Sequence, residues 1–300
     1  MRSLFSTLLS ACSIATVAFA LPALAASEIQ INYDTPSFQN REITNGKVKI
    51  SVSYDGQSGG SLNEENNLRY TLYYDGQEKI RETTSTFNIG NISLQDLDSN
   101  GTPEVIVKVY SGGAHCCTEH KVYTWRDNNF TSVQFGPADG NGGRFEDLNQ
   151  DGRMELIAFD NSFLYAFSSY AGSFPPSVIL SYRDGNFEDV TRQYPQYLRG
   201  IAWQMYRTLE RTEGENNGVL AGYVAQKILL GEFEDGWNFM LARYDRESDW
   251  GLDIRDSNGN SIGRHRDFPT ALKAFLIETG YLNRNGQPNT ALNLRDRVIR

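Results

Sequence analysis

An acidic nine-residue loop occurs twice in the chain, as Asp96-Leu97-Asp98-Ser99-Asn100-Gly101-Thr102-Pro103-Glu104 and as Asp147-Leu148-Asn149-Gln150-Asp151-Gly152-Arg153-Met154-Glu155. In both copies, oxygen-bearing side chains stand at positions 1, 3, 5 and 9, with Gly at position 6. Alternating oxygen ligands before a Gly that permits a sharp turn suit Ca²⁺. A strand-like apolar segment follows each copy, at residues 105–109 and 156–159. The pattern predicts two calcium sites, each a loop that leads directly into a β-strand.

These loops differ from the helix-loop-helix calcium site, which places a bidentate Glu at position 12. Position 12 is Val107 in the first copy and Ala158 in the second. We therefore predict Ca²⁺ as the cofactor, bound in a different loop geometry. The candidate metal-binding residues are Asp96, Asp98, Asn100, Thr102 and Glu104 in the first loop, and Asp147, Asn149, Asp151, Arg153 and Glu155 in the second.

The first residues have the composition of an export signal. Arg2 precedes an uncharged apolar run at residues 4–24, and Ala23-Leu24-Ala25 is a small-x-small cleavage site. This pattern predicts a signal peptide at residues 1–25. Lipid attachment is the alternative, because Leu9-Ser10-Ala11-Cys12 matches a lipobox, although the apolar run continues past Cys12. We expect an exported protein that is periplasmic, cell-surface or extracellular, with no transmembrane segment after cleavage.

The chain is acidic, with a formal net charge of −9 at pH 7. Removing the signal removes Arg2 and makes the balance more negative. An acidic surface argues against nucleic acid and anionic membrane as partners. The expected partners are a cell-envelope or extracellular protein or a glycan.

Cys116 and Cys117 are adjacent and would be the only cysteines left after signal removal. Across a trans peptide their Cα atoms would lie about 3.8 Å apart, which is less than the usual minimum of about 4.4 Å for a disulfide. An oxidising compartment still favours a disulfide between them. Free thiols and a zinc or copper site are the alternatives, the latter because His115-Cys116-Cys117-Thr118-Glu119-His120 offers four soft or borderline ligands.

The chain divides into two regions of different character. Residues 28–195 contain alternating segments and the turn pairs Asn45-Gly46, Asp55-Gly56 and Asp75-Gly76, which predict antiparallel hairpins. A strand-turn-strand unit at residues 122–130 aligns with one at 179–187, and each follows an acidic loop. Repeats of about 50 residues are typical of blades, but two clear copies and one degenerate copy cannot close a propeller.

Residues 196–300 have helical periodicity instead. Apolar stripes predict helices at 197–211, 219–230 and 233–244, and a fourth that Asp267 caps and Gly280 ends. We read these stripes as core packing. Residues 253–260 look like a third acidic loop, but Arg255 interrupts the spacing and favours a hairpin turn. The fold class predicted is α+β: a mainly antiparallel β domain with blade-like repeats at 28–195, followed by a small helical region.

The acidic loops resemble the FG-GAP or VCBS-type calcium-loop repeats of exported bacterial proteins and integrin-like propellers. More narrowly, residues 110–117 and 163–173 resemble a group of secreted bacterial proteins of unassigned function. The resemblance covers about residues 90–195 and implies calcium held by the Asp, Asn and Glu side chains named above. Asn100 and Asn149 depart from that pattern, because each replaces a carboxylate with a neutral amide oxygen.

No catalytic signature is present in the sequence. It has only three His residues and no Gly-x-Ser-x-Gly elbow, His-Glu-x-x-His helix or phosphate-binding Gly loop. We expect a calcium-binding, non-enzymatic secreted or surface-associated binding or adhesion module. The alternatives are a secreted hydrolase that uses carboxylate chemistry and a carbohydrate- or peptidoglycan-binding protein. The aromatic residues considered for glycan binding are Trp125, Tyr165, Phe167 and Tyr170.

Overall fold

The computed structural model describes residues 28–56, 66–113, 116–140, 142–211 and 216–299. The predicted signal peptide and the lipobox cysteine lie outside these ranges. The strands are β1 (Glu28–Ile31), β2 (Phe38–Asn45), β3 (Val48–Tyr54), β4 (Leu68–Tyr74), β5 (Gln77–Thr84), β6 (Gly90–Gln95), β7 (Glu104–Tyr110), β8 (Cys116–Arg126), β9 (Asn129–Asp139), β10 (Arg144–Glu146), β11 (Glu155–Phe159), β12 (Ser177–Arg183), β13 (Asn186–Asp189), β14 (Asp253–Arg255) and β15 (Ser261–Arg264). The α-helices are α1 (Pro195–Leu209), α2 (Asn217–Leu229), α3 (Phe233–Leu241) and α4 (Phe268–Glu278).

Every strand pairing among the described residues is antiparallel. One sheet has the order β2-β3-β4-β5, a second β1-β6-β7-β8-β9 and a third β10-β11-β12-β13, while β14 and β15 form a separate hairpin. Within the first and third sheets each strand pairs with its neighbour in sequence, as hairpin connections require. With the strands preceding most of the helices, the structure confirms the α+β class predicted from the sequence.

Two-residue turns join the last two strands in each of the three sheets. Asp75-Gly76 connects β4 to β5, Asp127-Asn128 connects β8 to β9, and Asp184-Gly185 connects β12 to β13. All six residues have positive φ, between 50° and 77° for the first two pairs and 49° and 79° for the third. Two consecutive positive φ values define the type I′ turn, which favours Asn, Asp and Gly. The predicted hairpins at 122–130 and 179–187 are therefore confirmed.

The sheet formed by β1 and β6–β9 is buried on both faces. Val105 and Val107 of β7 belong to a core shared with β2–β4, whereas Ile106 belongs to a second core. Successive side chains of a strand point to opposite faces. This double burial explains why the segment after the first acidic loop is apolar without alternation.

The second core joins the third sheet to the helices. It contains Leu156 and Leu180 from the sheet together with Leu220 of α2 and Leu272 of α4, all fully buried. The apolar stripes of the helices therefore are core packing, as predicted. No helix in the described ranges is long and apolar enough to cross a membrane.

Local sequence signals correctly predicted two further features, the cap of α4 and the turn between β14 and β15. The side chain of Asp267 accepts a hydrogen bond from the backbone N–H of Thr270 at 3.0 Å, which caps α4. Asp256 accepts hydrogen bonds from the backbone N–H groups of Asn258 and Asn260 in the turn between β14 and β15. The third acidic segment is thus a hairpin turn.

Candidate metal centre

The first acidic loop connects β6 to β7 and folds around the side chain of Asp96. Its Oδ1 accepts the N–H of Asn100 at 3.1 Å, and its Oδ2 accepts the N–H of Gly101 at 2.8 Å. Ser99 and Gly101 have φ values of 62° and 86°, the left-handed region in which Gly is least strained. One further hydrogen bond, from the N–H of Thr102 to Asn100 Oδ1 at 2.7 Å, continues the turn. The loop is therefore built by side chains that also carry metal-binding oxygens.

The second loop connects β10 to β11 and repeats this arrangement. Asp147 accepts the N–H of Asp151 at 3.1 Å and that of Gly152 at 2.8 Å. The N–H of Arg153 donates to Asp151 Oδ1 at 2.9 Å, and Gln150 and Gly152 have φ values of 62° and 88°. Position for position, the hydrogen bonds are those of the first loop. The two loops thus share one conformation despite differing at positions 3, 4, 5, 7 and 8.

Position 9 of each loop is a buried glutamate. Glu104 is 1% exposed and accepts the backbone N–H of Leu97 at 2.8 Å. Glu155 is 2% exposed and accepts the backbone N–H of Leu148 at 3.1 Å. Each glutamate therefore ties the first residue of a strand back to the start of its loop. A buried carboxyl group needs such partners, because burial disfavours its charged form.

Three carboxyl groups converge in the first loop. One ligand oxygen each from Asp96, Asp98 and Glu104 lies within 4.8 Å of the others. Burial raises the pKa of Glu104 to about 8; the charges of Asp98 and Asp96 add to this, against the hydrogen bond from Leu97. A divalent cation among these oxygens would offset both the burial and the repulsion. The donor set of oxygens alone fits a hard cation such as Ca²⁺.

The second loop also has three carboxylates, Asp147, Asp151 and Glu155, but their oxygens do not lie within 4.8 Å of one another as those of the first loop do. Asn149 stands where the first loop has Asp98, and its Nδ2 donates to Asp151 Oδ2 at 3.1 Å. The hydrogen bonds from the Arg153 backbone and from Asn149, together with the nearby charges of Arg153 and Arg183, lower the pKa of Asp151. The Arg153 side chain has no acceptor and cannot coordinate a cation. We therefore rank the first loop as the better site.

The two loops lie side by side. Ser99 Oγ donates to the carbonyl oxygen of Gly152 at 3.0 Å, and the N–H of Met154 donates to the carbonyl oxygen of Leu97 at 2.9 Å. A Cβ added at Gly152 would lie 2.8 Å from Ser99 Oγ, so this contact requires Gly. The sequence predicted two separate loops and did not predict that they touch.

The cysteine pair forms a disulfide between Cys116 and Cys117 at the start of β8, and the peptide bond between them is cis. The structure thus confirms the favoured alternative. Both sulfurs are used, which leaves no thiolate for zinc or copper. His120 is 4% exposed and stacks on Phe135 with ring centroids 4.1 Å apart. His115, the other histidine of that segment, lies outside the described residues.

The four aromatic residues considered for glycan binding occupy different surroundings. Trp125 stacks on Tyr74 with centroids 3.8 Å apart, and Phe167 is buried. Tyr165 is exposed, and its ring centroid lies 5.9 Å from that of Tyr170. Sequence reasoning missed Trp250, whose indole N–H donates to the carbonyl oxygen of Tyr165 at 2.9 Å. No local pattern could have connected two residues so far apart in the chain.

Comparisons with known proteins identify one matching family model and two relatives. Residues 188–280 match the family model described as the sll0997 C-terminal domain. The chain is 38% identical over 273 residues to "Probable thylakoid lumen protein sll0997" of Synechocystis sp., which covers 84% of this chain and 78% of that protein. It is 35% identical over 193 residues to "Uncharacterized protein y4bJ" of Sinorhizobium fredii, which covers 60% of this chain but only 30% of that protein. No solved structure matches significantly.

These comparisons correct the resemblance drawn from the acidic loops. The family match is the sll0997 C-terminal domain, and no FG-GAP or VCBS repeat family is shown. The prediction of membership in the integrin-like repeat family is therefore wrong. The physical reason is that the motif is local: Asp and Asn side chains that bond to nearby N–H groups, followed by Gly, build such a turn in any fold. A nine-residue pattern of this kind reports loop geometry rather than ancestry.

Proposed function

The chain belongs to the family of the probable thylakoid lumen protein sll0997, and we propose that it is an exported, non-enzymatic binding module that Ca²⁺ stabilises at two adjacent loops. The observation that carries the calcium assignment is the convergence of Asp96, Asp98 and buried Glu104 within 4.8 Å in the first loop. The matching hydrogen bonds of the second loop support a second, weaker site. When bound, Ca²⁺ would neutralise the carboxylates and link each loop to the strand that follows it.

We propose a lumen-like or periplasm-like compartment for the protein. The printed name of the Synechocystis relative, the predicted signal peptide and the disulfide between Cys116 and Cys117 support this location. Calcium outside the cytoplasm is abundant enough to fill sites with dissociation constants of about 10⁻⁴–10⁻³ M. Weak sites, each with one amide ligand, would therefore suffice.

We also propose that β6–β9 and β10–β13 are two copies of one blade-like unit. Each consists of four strands in sequence order, with the acidic loop after the first strand and a type I′ turn before the last. The β2–β5 sheet shares the strand order and the final turn but has no acidic loop. The proposed division into residues 28–195 and 196–300 places both loop-bearing units in the first region.

A secreted hydrolase with carboxylate chemistry is the competing function. The three carboxyl groups that converge within 4.8 Å in the described residues are those of the first loop, where they already accept hydrogen bonds. Assays on glycan and peptide substrates would separate the two functions. Turnover that a single carboxylate substitution outside both loops abolishes would favour the hydrolase.

Equilibrium dialysis against Ca²⁺ tests the metal assignment directly. We expect two bound ions per chain, with the tighter one lost in Asp98→Asn, since that change removes one of three converging carboxylates. Asp256→Asn is the matched control, because Asp256 makes the same kind of turn in the β14–β15 hairpin without neighbouring carboxylates that converge on it. Absence of binding at millimolar Ca²⁺, or equal loss in both variants, would refute the assignment.

A further inference from the structure

A cleft lies on the helical side of the molecule, away from the acidic loops. Its walls are the segment around Tyr165, the β14–β15 hairpin and α4, and its volume is about 730 Å³. Small-molecule sites typically enclose about 300–1,000 Å³. The family model that matches residues 188–280 spans two of the three walls.

Two aromatic side chains stand at the rim in fixed positions. Tyr165 is 52% exposed and Trp250 is 41% exposed, so both rings face solvent. The hydrogen bond from the Trp250 indole to the Tyr165 carbonyl holds the two segments together. Gly251 has a φ of 75°, and a Cβ there would lie 2.2 Å from the carbonyl oxygen of Ala166. The close backbone contact behind the rings therefore leaves no room for a side chain at position 251.

The polar wall of the cleft carries paired charges. Arg264 Nη2 lies 3.4 Å from Asp249 Oδ2, and Arg255 Nη2 lies 3.2 Å from Asp253 Oδ2. Glu278 adds a carboxylate on α4. Because each guanidinium has a carboxylate beside it, the wall is close to neutral while it still presents both donors and acceptors. Such a surface does not favour a strongly charged ligand.

We propose that this cleft binds a neutral oligosaccharide. This inference rests on the proposed function as a binding module and names the class of its ligand. The apolar face of a pyranose ring packs on Trp250 and Tyr165, where exposed rings bury area at low conformational cost. The sugar hydroxyls, each both donor and acceptor, bond to the paired Arg and Asp side chains. Neutral hydroxyls match a wall on which both guanidinium groups already have a carboxylate partner.

The test is titration of the full mature chain with cellohexaose, chitohexaose and maltohexaose, followed by calorimetry and tryptophan fluorescence. We expect at least one of these neutral probes to bind. Trp250→Ala should weaken its binding about tenfold or more, equivalent to about 1.4 kcal/mol. Trp203→Ala is the matched control, because Trp203 is an exposed indole on α1 outside the cleft. That control should change the dissociation constant less than about twofold.

A second variant, Arg264→Ala, keeps the test valid should Trp250→Ala not fold, since Arg264 lies on an exposed hairpin. It should also weaken binding. The proposal fails if none of the three probes binds, if the control loses as much affinity as the cleft variants, or if polygalacturonate binds more tightly than the neutral probes. Calcium-dependent melting remains measurable in each of these outcomes, so failure of the cleft proposal is distinct from failure of the calcium assignment.

Discussion

Glu104 combines full burial with two negatively charged neighbours, Asp96 and Asp98, and this makes its charge unfavourable in the absence of a cation. We predict that Glu104→Gln is at least as stable as the wild type in a chelator, because the amide oxygen can still accept the N–H of Leu97. In millimolar Ca²⁺ the variant should lose most of the gain in melting temperature. Glu28→Gln on β1 is an exposed control that should behave as wild type in both conditions. A variant that is equally stabilised by Ca²⁺ would show that Glu104 is not a ligand.

His120 is a second buried ionisable residue, and its pKa is shifted in the opposite direction to that of Glu104. Burial, and to a smaller extent the charge of Lys108, lowers its pKa from 6.5 to about 3. Its Nδ1 has no hydrogen-bond partner among the described residues. The unfolded chain therefore binds a proton here below pH 6.5 while the folded chain does not. The stability that neutral His120 allows is complete above pH 6.5 and decreases as the pH falls towards 3.

We predict that His120 lowers the free energy of unfolding by about 1.4 kcal/mol for each pH unit below 6.5. His120→Phe retains a ring on Phe135 but does not titrate, so its stability should fall less steeply with acidification. Urea unfolding of both proteins at pH 7, 6 and 5 measures the difference. The larger Phe ring crowds Gly142, and this changes the free energy of unfolding equally at the three pH values. The slope of that free energy against pH is therefore the readout. Parallel pH profiles would contradict the assignment of a neutral buried histidine.

The residues that the sequence could not assign are those whose role depends on which face of a strand is buried. His120 is separated by only two residues from Cys117, which suggested a shared metal site. In the structure it faces Phe135 in the core. Alternation within β8 predicts that neighbours point apart, but it does not identify the face that another sheet will cover.

At the scale of elements, α2 packs with its backbone close to the chain at residues 172–174. A Cβ at Gly222 would lie 1.7 Å from the carbonyl oxygen of Phe174, and one at Gly218 would lie 2.3 Å from that of Gly172. These two glycines explain how a helix that is buried on nearly all sides fits against the segment that precedes β12. Helical periodicity predicted the helix, whereas this close approach was not visible in the sequence.

We predict that Gly222→Ala destabilises the protein by about 1–3 kcal/mol, because the backbone it contacts cannot move away without strain. Gly200→Ala is the matched control: Gly200 lies within α1, and a Cβ there would have nothing within 4 Å. That change should stabilise by about 0.5–1 kcal/mol through helix propensity alone. Chemical denaturation measures both. Similar effects of the two substitutions would mean that α2 is not packed as described.

Elements marked by local chemistry were predictable, including the type I′ turns, the Asp267 cap and the strands after both acidic loops. The segments that these elements contact were not predictable, because those contacts join residues far apart in the chain. The contact of Ser99 with Gly152 and that of Trp250 with Tyr165 are the two clearest cases. Each joins features that the sequence presented as unrelated, and each belongs to a site proposed above.

At the scale of the whole molecule, the first acidic loop stands at a junction between the two hydrophobic cores. Leu97, within the first loop, is fully buried in the core that contains the third sheet and the helices. The strand that follows, β7, contributes Val105 to the other core and Ile106 to the same one. A cation that orders this loop would therefore stabilise both cores, and its effect should appear in global unfolding rather than in a local transition.

Thermal unfolding in millimolar Ca²⁺ and in chelator tests this account most directly. Two sites that bind Ca²⁺ only in the folded state, each at a tenfold excess of the ion over the dissociation constant, together stabilise by about 2.8 kcal/mol, or about 5 °C or more for a protein of this size. We predict such a rise in Ca²⁺, a much smaller one in Mg²⁺, and almost none in the double variant Asp96→Ala/Asp147→Ala. Identical melting curves of the wild type in calcium and in chelator would show that both loops are ordinary Asx turns.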